Sequence, residues 1–150
     1  MTMYKSLIFD LGDVIIDIDY AITVAEFQKL AKVDFSEIVS YSRQHHVFDR
    51  LEKGQISEAD FWAEIKLLMK PDVTNEELVN AWNSILINYP KYKIELLQNL
   101  RSRYQLFALS NINEIHIREI DRVAKEHFGA QRFADFFHKA YYSNETGYRK

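Results

Sequence analysis

The sequence predicts an α/β fold: a parallel sheet whose first crossover is interrupted by an inserted helical bundle. Three observations carry this. Short apolar segments at Ser6–Phe9, 106–109 and Lys139–Tyr142 each end in polar residues, as buried strands do. Helical periodicity fills the long stretch between the first two. With only four Gly and two Pro, the chain lacks the turns an all-β architecture needs.

The elements follow in order. Asp19 or Tyr20 opens a helix reaching about residue 33, with Ile22, Phe27, Leu30 and Ala31 near helical spacing. Ser36 caps a second, running through Ile38, Val39 and Phe48 to Leu51, with Gly54 where a C-terminal cap sits. Ser57 and Asp60 resemble a capping box and start a third over 58–69, with Phe61, Ile65 and Leu68 on one stripe. Pro71 stops it. Thr74 with Glu77 is a better box, because Glu reaches back to the cap more readily than Asp. It starts a fourth helix through Leu78, Ala81, Trp82 and Ile85. Pro90 marks a boundary, 92–104 reads as a crossover helix, and another helix follows Asn111. Four consecutive helices exceed what one crossover requires. They form a subdomain at residues 17–88, inserted into a core built from residues 1–16 and 89–150.

An apolar fraction of 47% and an aromatic fraction of 14% describe a packed globule rather than a disordered chain. A net charge of −3 offers no basic field, so nucleic acid is not an expected partner. Without Cys there are no disulfides, thiolate metal sites or thiol nucleophiles. The first apolar run ends at Asp10, too short for a signal peptide or membrane span, so a cytoplasmic location is expected and no membrane partner. Oligomeric state is not legible. His45 and His46 are adjacent on a helix and point about 100° apart, a poor arrangement for one metal.

Asp10, Ser110 and Lys150 stand at or shortly after the three strand ends. Carboxyl-terminal strand ends of an open α/β sheet line one crevice, so these distant residues converge. A carboxylate there is costly unless cations or donors meet it. Asp10 is placed to attack phosphorus, while Ser110 and Lys150 stabilise charge on the phosphoryl oxygens. Backbone N–H groups around 111–113, at a helix start, add anion donors. Singly, the residues have plainer readings: Asp10 as a turn residue, Ser110-Asn111 as a helix cap, Lys150 as a solvated surface group.

Ile8-Phe9-Asp10-Leu11-Gly12-Asp13-Val14-Ile15, Leu109-Ser110-Asn111 and Gly147-Tyr148-Arg149-Lys150 resemble the first three motifs of the haloacid dehalogenase (HAD) superfamily. The spacing resembles its helical-cap branch, and the first and third motifs are similar to a bacterial subgroup that includes glucose-1-phosphate phosphatases. The resemblance covers essentially the whole chain. It implies a Rossmann-like core with a cap over the substrate, the 48–54 neighbourhood lying near its entrance. It implies Asp10 as nucleophile, Mg²⁺ on the Asp10 carboxylate and the Gly12 carbonyl, and Ser110, Asn111 and Lys150 binding phosphate. The partner is then a small phosphorylated metabolite, possessing a sugar in some relatives, and the activity Mg²⁺-dependent phosphomonoester hydrolysis through an aspartyl-phosphate. Haloacid dehalogenation and non-catalytic phosphometabolite binding are the alternatives.

Two departures qualify it. Gly12 stands where most superfamily phosphatases carry an acid, and Asp13, facing away from Asp10 on extended backbone, does not replace it. Substrates with good leaving groups, such as anomeric sugar phosphates or aryl phosphates, are favoured accordingly. The family's fourth motif, an acidic pair after another strand, has no counterpart before Lys150. The resemblance reads the chain as part of a longer protein or as a metal-poor relative, with weak Mg²⁺ binding and an unpaired sheet edge as it stands.

Overall fold

The computed structural model describes residues 4–150. Strand β1 (Ser6–Phe9) leads into a tight turn and then a two-residue strand, β2 (Asp17–Ile18). The inserted bundle follows as α1 (Tyr20–Leu30), α2 (Phe35–His45), α3 (Val47–Glu52), α4 (Glu58–Lys66) and α5 (Asn75–Asn83). Strand β3 (Leu86–Asn88) returns antiparallel to β2, so the bundle leaves and rejoins the core through a paired stem. The core continues through α6 (Lys91–Arg101), β4 (Gln105–Ser110), α7 (Glu114–Phe128), a 3₁₀ turn (Phe133–Phe136), β5 (Lys139–Tyr142) and the single turn α8 (Ser143–Thr146).

The sheet has the order β1-β4-β5, all parallel, with Phe9 opposite Ala108 and Ser110 opposite Tyr142. Among the described residues, β1 pairs on one side only. Leu106, Ala108 and Tyr142 point into a core with Ile94 and Leu97 of α6, Ile120 and Ala124 of α7, and Phe133 and Phe136. On alternate positions, Ile8 (69%), Leu109 (41%) and Tyr141 (38%) are exposed. The apolar runs therefore read as doubly buried strands, yet only one of their faces is covered here. A second cluster, from Phe27, Ile38, Val47, Leu51, Phe61, Trp62, Ile65 and Leu78, fills the bundle and is joined by Ile115 of α7.

Capping chemistry places several helices as expected. Ser57 Oγ accepts from the Asp60 N–H at 3.1 Å. The Thr74–Glu77 box is complete, Glu77 Oε2 accepting from the Thr74 N–H at 2.8 Å. Several boundaries differ. Helices α1 and α4 stop early, at Leu30 and Lys66, because the chain beyond them pairs with itself: the Lys32 N–H donates to the Leu68 carbonyl (3.1 Å) and the Lys70 N–H to that of Leu30 (3.0 Å). The single helix expected over 36–51 is two, broken where His46 adopts a left-handed φ of 53°, and its N-cap is Asp34 rather than Ser36. Asn113, not Asn111, caps α7, its Oδ1 accepting from the Ile115 and His116 N–H groups, both at 3.1 Å.

Candidate active site

Asp10 directly follows β1. Its Oδ1 accepts from the Leu11 N–H at 2.8 Å, orienting the carboxyl group, and its Oδ2 pairs with the Lys150 ammonium. That ammonium also donates to the Leu109 carbonyl at 2.8 Å. Parallel register sets Leu109 beside Asp10, so the two strand ends present a carboxylate and a carbonyl to one cation.

The turn after Asp10 is wound on the Leu11 carbonyl, which accepts from the Val14, Ile15 and Ile16 N–H groups at 3.3, 2.8 and 2.9 Å. The Gly12 carbonyl accepts none of the turn's bonds. Asp13 takes a left-handed φ of 56°, is exposed, and accepts the Ile18 N–H at 3.4 Å. Its side chain serves the turn. The backbone winds there, whereas the sequence reading assumed extended backbone.

Ser110 ends β4 and is buried, 5% exposed. The Asn111 side chain grips the third motif instead of facing open space: its Oδ1 accepts the Lys150 N–H at 2.9 Å and its Nδ2 donates to the Lys150 carbonyl at 3.3 Å. Of the backbone donors expected near 111–113, the Ile112 N–H is engaged by Ser143 Oγ at 3.0 Å, and that hydroxyl donates back to the Ile112 carbonyl at 3.1 Å. Ser143 was not singled out from sequence, although it follows the third strand as Ser110 follows the second.

Gly12, Ser110 and Asn111 floor a cavity of about 370 Å³ whose walls include Phe27, Phe48 and Trp82 from the bundle. The cavity thus lies between bundle and sheet; Leu11 and Asn111 line it, whereas Asp10 and Lys150 do not. Most of its lining is apolar, with Thr23, Glu52 and His116 as further polar groups. Thr23 Oγ1 is engaged on the Ala81 carbonyl at 2.6 Å. His116 stacks on Trp82, ring centroids 5.3 Å apart, and its Nε2 lies 3.2 Å from the Trp82 carbonyl. A carbonyl only accepts, so Nε2 carries the proton and Nδ1 accepts from Asn113 Nδ2 at 3.1 Å. Burial drives the His116 pKa down to about 4, keeping the ring neutral. His45 and His46 lie in α2 and at the α2–α3 break, and no group of three or more His, Asp or Glu able to hold a metal occurs among the described residues.

Glu52, at the end of α3, meets the third motif. Its Oε2 lies 2.8 Å from Arg149 Nε, and Arg149 Nη1 donates to Asp49 Oδ1 at 3.2 Å. The Nε–H is not aimed at Oε2, which is buried without a hydrogen bond, and desolvation raises the Glu52 pKa against the pull of Arg149. Asp49 is held below the usual carboxylate range, first by its hydrogen bond to Lys53 and also by Arg149. Neither acid announces itself in sequence, since both read as the polar face of a helix.

No protein-family model matches the chain. Over 111 residues, 74% of the chain, it is 32% identical to D-ribitol-5-phosphate phosphatase of Bacteroides thetaiotaomicron. A HAD family enzyme from the same organism, solved with magnesium and inorganic phosphate, superposes with a TM-score of 0.83 at 34% identity, over 98% of this chain and 72% of that one. The chain belongs to the HAD superfamily. A HAD-like family hydrolase from Porphyromonas gingivalis, 25% identical, superposes with a TM-score of 0.84 over 99% of this chain and 71% of that one. The chain spans about half, 54%, of the length of the curated relative it matches. Superfamily membership agrees with the parallel sheet and with motifs at its carboxyl edge. No helix among the described residues is long and apolar enough to cross a membrane.

Proposed function

We propose that the protein is a Mg²⁺-dependent phosphatase that hydrolyses small phosphomonoesters, of sugar or polyol type, through an aspartyl-phosphate on Asp10. The reading rests above all on the Lys150 ammonium held against both the Asp10 carboxylate and the Leu109 carbonyl at the carboxyl ends of two parallel strands. In the proposed reaction an Asp10 oxygen forms a bond to phosphorus as the ester oxygen leaves with the bonding pair and takes a proton from water. A water oxygen then bonds to phosphorus as the Asp10 carboxylate departs with the bonding pair, and the proton that this water sheds neutralises the hydroxide left by the first step, restoring the enzyme. Lys150 offsets charge on the phosphoryl oxygens, Ser110 donates its hydroxyl to one of them, and Asn111 fixes the Lys150 backbone. Residues 17–88 act as the cap over the leaving group, and residues 1–16 and 89–150 as the catalytic core. A cavity of about 370 Å³ has the volume of a small-molecule site.

The residues present fit Mg²⁺ in the chemistry of their donors. The Asp10 carboxylate and the Gly12 carbonyl, free of the turn's hydrogen bonds, are hard oxygen ligands. This cation commonly takes one or two carboxylates and keeps several waters. When bound, Mg²⁺ lowers the repulsion between a carboxylate nucleophile and an anionic phosphate. Support for a sugar or polyol substrate comes from the likeness to D-ribitol-5-phosphate phosphatase.

The test is turnover of an aryl phosphate and a panel of sugar and polyol phosphates by the full chain, with and without Mg²⁺. Metal-dependent turnover abolished in Asp10→Asn is the expected result. Metal-independent release of halide from a haloacid would replace this reading with a dehalogenase, and phosphate binding without turnover would replace it with a binding protein.

A further inference from the structure

The third motif is anchored twice. From the core, Asn111 holds both main-chain polar groups of Lys150. From the bundle, Asp49 and Glu52 of α3 hold the side chain of the preceding residue, Arg149. The seat of α3 on this segment is close: Gly54, at φ +64°, runs so near α8 that a Cβ there would lie 2.2 Å from the Asn144 carbonyl oxygen.

We propose that Glu52 and Arg149 are a positioning pair, through which the docked bundle holds the Lys150 ammonium where phosphate binds. This rests on the phosphatase reading of Asp10 and Lys150. The two neighbouring side chains go to different partners, Arg149 to the bundle and Lys150 to Asp10. Releasing α3 frees Arg149 and leaves Lys150 with the Asn111 anchor alone. Linkage makes the coupling reciprocal: phosphate on Lys150 favours the docked bundle, and the docked bundle favours phosphate. Glu52 touches no reacting atom in this scheme. It acts through Arg149.

The experiment measures inorganic phosphate affinity, KM and kcat for an aryl phosphate in the full chain, for wild type, Glu52→Gln, Arg149→Met and the double variant. Each single change is expected to weaken phosphate binding and raise KM by roughly 3- to 5-fold, what a partly exposed ion pair supplies, with kcat little altered. The double variant is expected to be no worse than either single one, and Arg149→Lys to recover most of the affinity. Unchanged phosphate affinity in Glu52→Gln, or losses that multiply in the double variant, would overturn the pairing. If Glu52→Gln does not fold, Arg149→Met, at a side chain 42% exposed, carries the same prediction alone. A wild type that neither binds phosphate nor turns over ester would instead overturn the phosphatase reading.

Discussion

Lys150 and Asp10 meet as an ion pair whose ammonium also donates to the Leu109 carbonyl, so the third motif closes directly on the first. Both side chains stay partly accessible, 34% and 40%, which leaves room for a phosphoryl group to displace one for the other. Lys150→Met is expected to lower kcat/KM by about 10²-fold, the usual effect of losing one charge-stabilising donor. Its unfolding midpoint should scarcely move, because an exposed ion pair contributes under about 1 kcal/mol. Steady-state kinetics with a thermal melt checks both halves.

In the proposed reaction Asp10 carries the chemistry, while Asp13 bonds within the turn. Asp10→Asn is expected to lower turnover by more than about 10³-fold, as loss of a nucleophile does. Asp13→Ala removes only an acceptor for the Ile18 N–H and should leave turnover within a small factor of wild type. Comparable losses at the two positions would mean that Asp13 enters the reaction.

Two left-handed glycines make a controlled comparison. Gly54 (φ +64°) faces the Asn144 carbonyl oxygen at 2.2 Å from a built Cβ, whereas Gly129 (φ +71°) has nothing within 4 Å. Gly129→Ala meets backbone strain alone and should cost about 1 kcal/mol. Gly54→Ala adds a collision with backbone and should cost distinctly more, about 3 kcal/mol. Chemical denaturation of the two variants reads the difference.

His116 gives a pH signature. Its folded-state pKa of about 4 lies below the ordinary 6.5, so the unfolded chain binds the proton more readily. Its contribution is whole above pH 6.5 and is lost as pH falls from there toward 4, amounting to about 3 kcal/mol in full. Stability measured from pH 7 to 4 should fall less steeply in His116→Gln than in wild type, and the His116 ring resonances should titrate near the lower limit.

Local chemistry was legible wherever an element answers to its own residues. The Ser57 and Thr74 caps, the strand at Ser6–Phe9 and the strand at Lys139–Tyr142 are where the residues put them. The early ends of α1 and α4 and the stem of β2 with β3 were not, because each depends on a backbone partner distant in sequence. Asp10, Ser110 and Lys150 were singled out by their place after strands, and the structure sets Asp10 and Lys150 against each other. The grip of the Asn111 side chain on the Lys150 backbone was not legible. Arg149 was read only as part of the third motif, and Glu52 and Ser143 were given no role, since an acid on a helix and a serine after a strand are ordinary until a partner is known.

By itself, the order of residues determined the α/β class, the inserted bundle and the carboxylate, hydroxyl and ammonium at three strand ends, because hydrophobic period and capping are properties of neighbouring residues. Only the folded chain decided that the Lys150 ammonium bridges Asp10 and Leu109, that Arg149 turns to the bundle, and that Asp13 belongs to a turn. Those outcomes depend on strand register and on helix seating, which bring together groups whose separation along the chain carries no information about their distance in space.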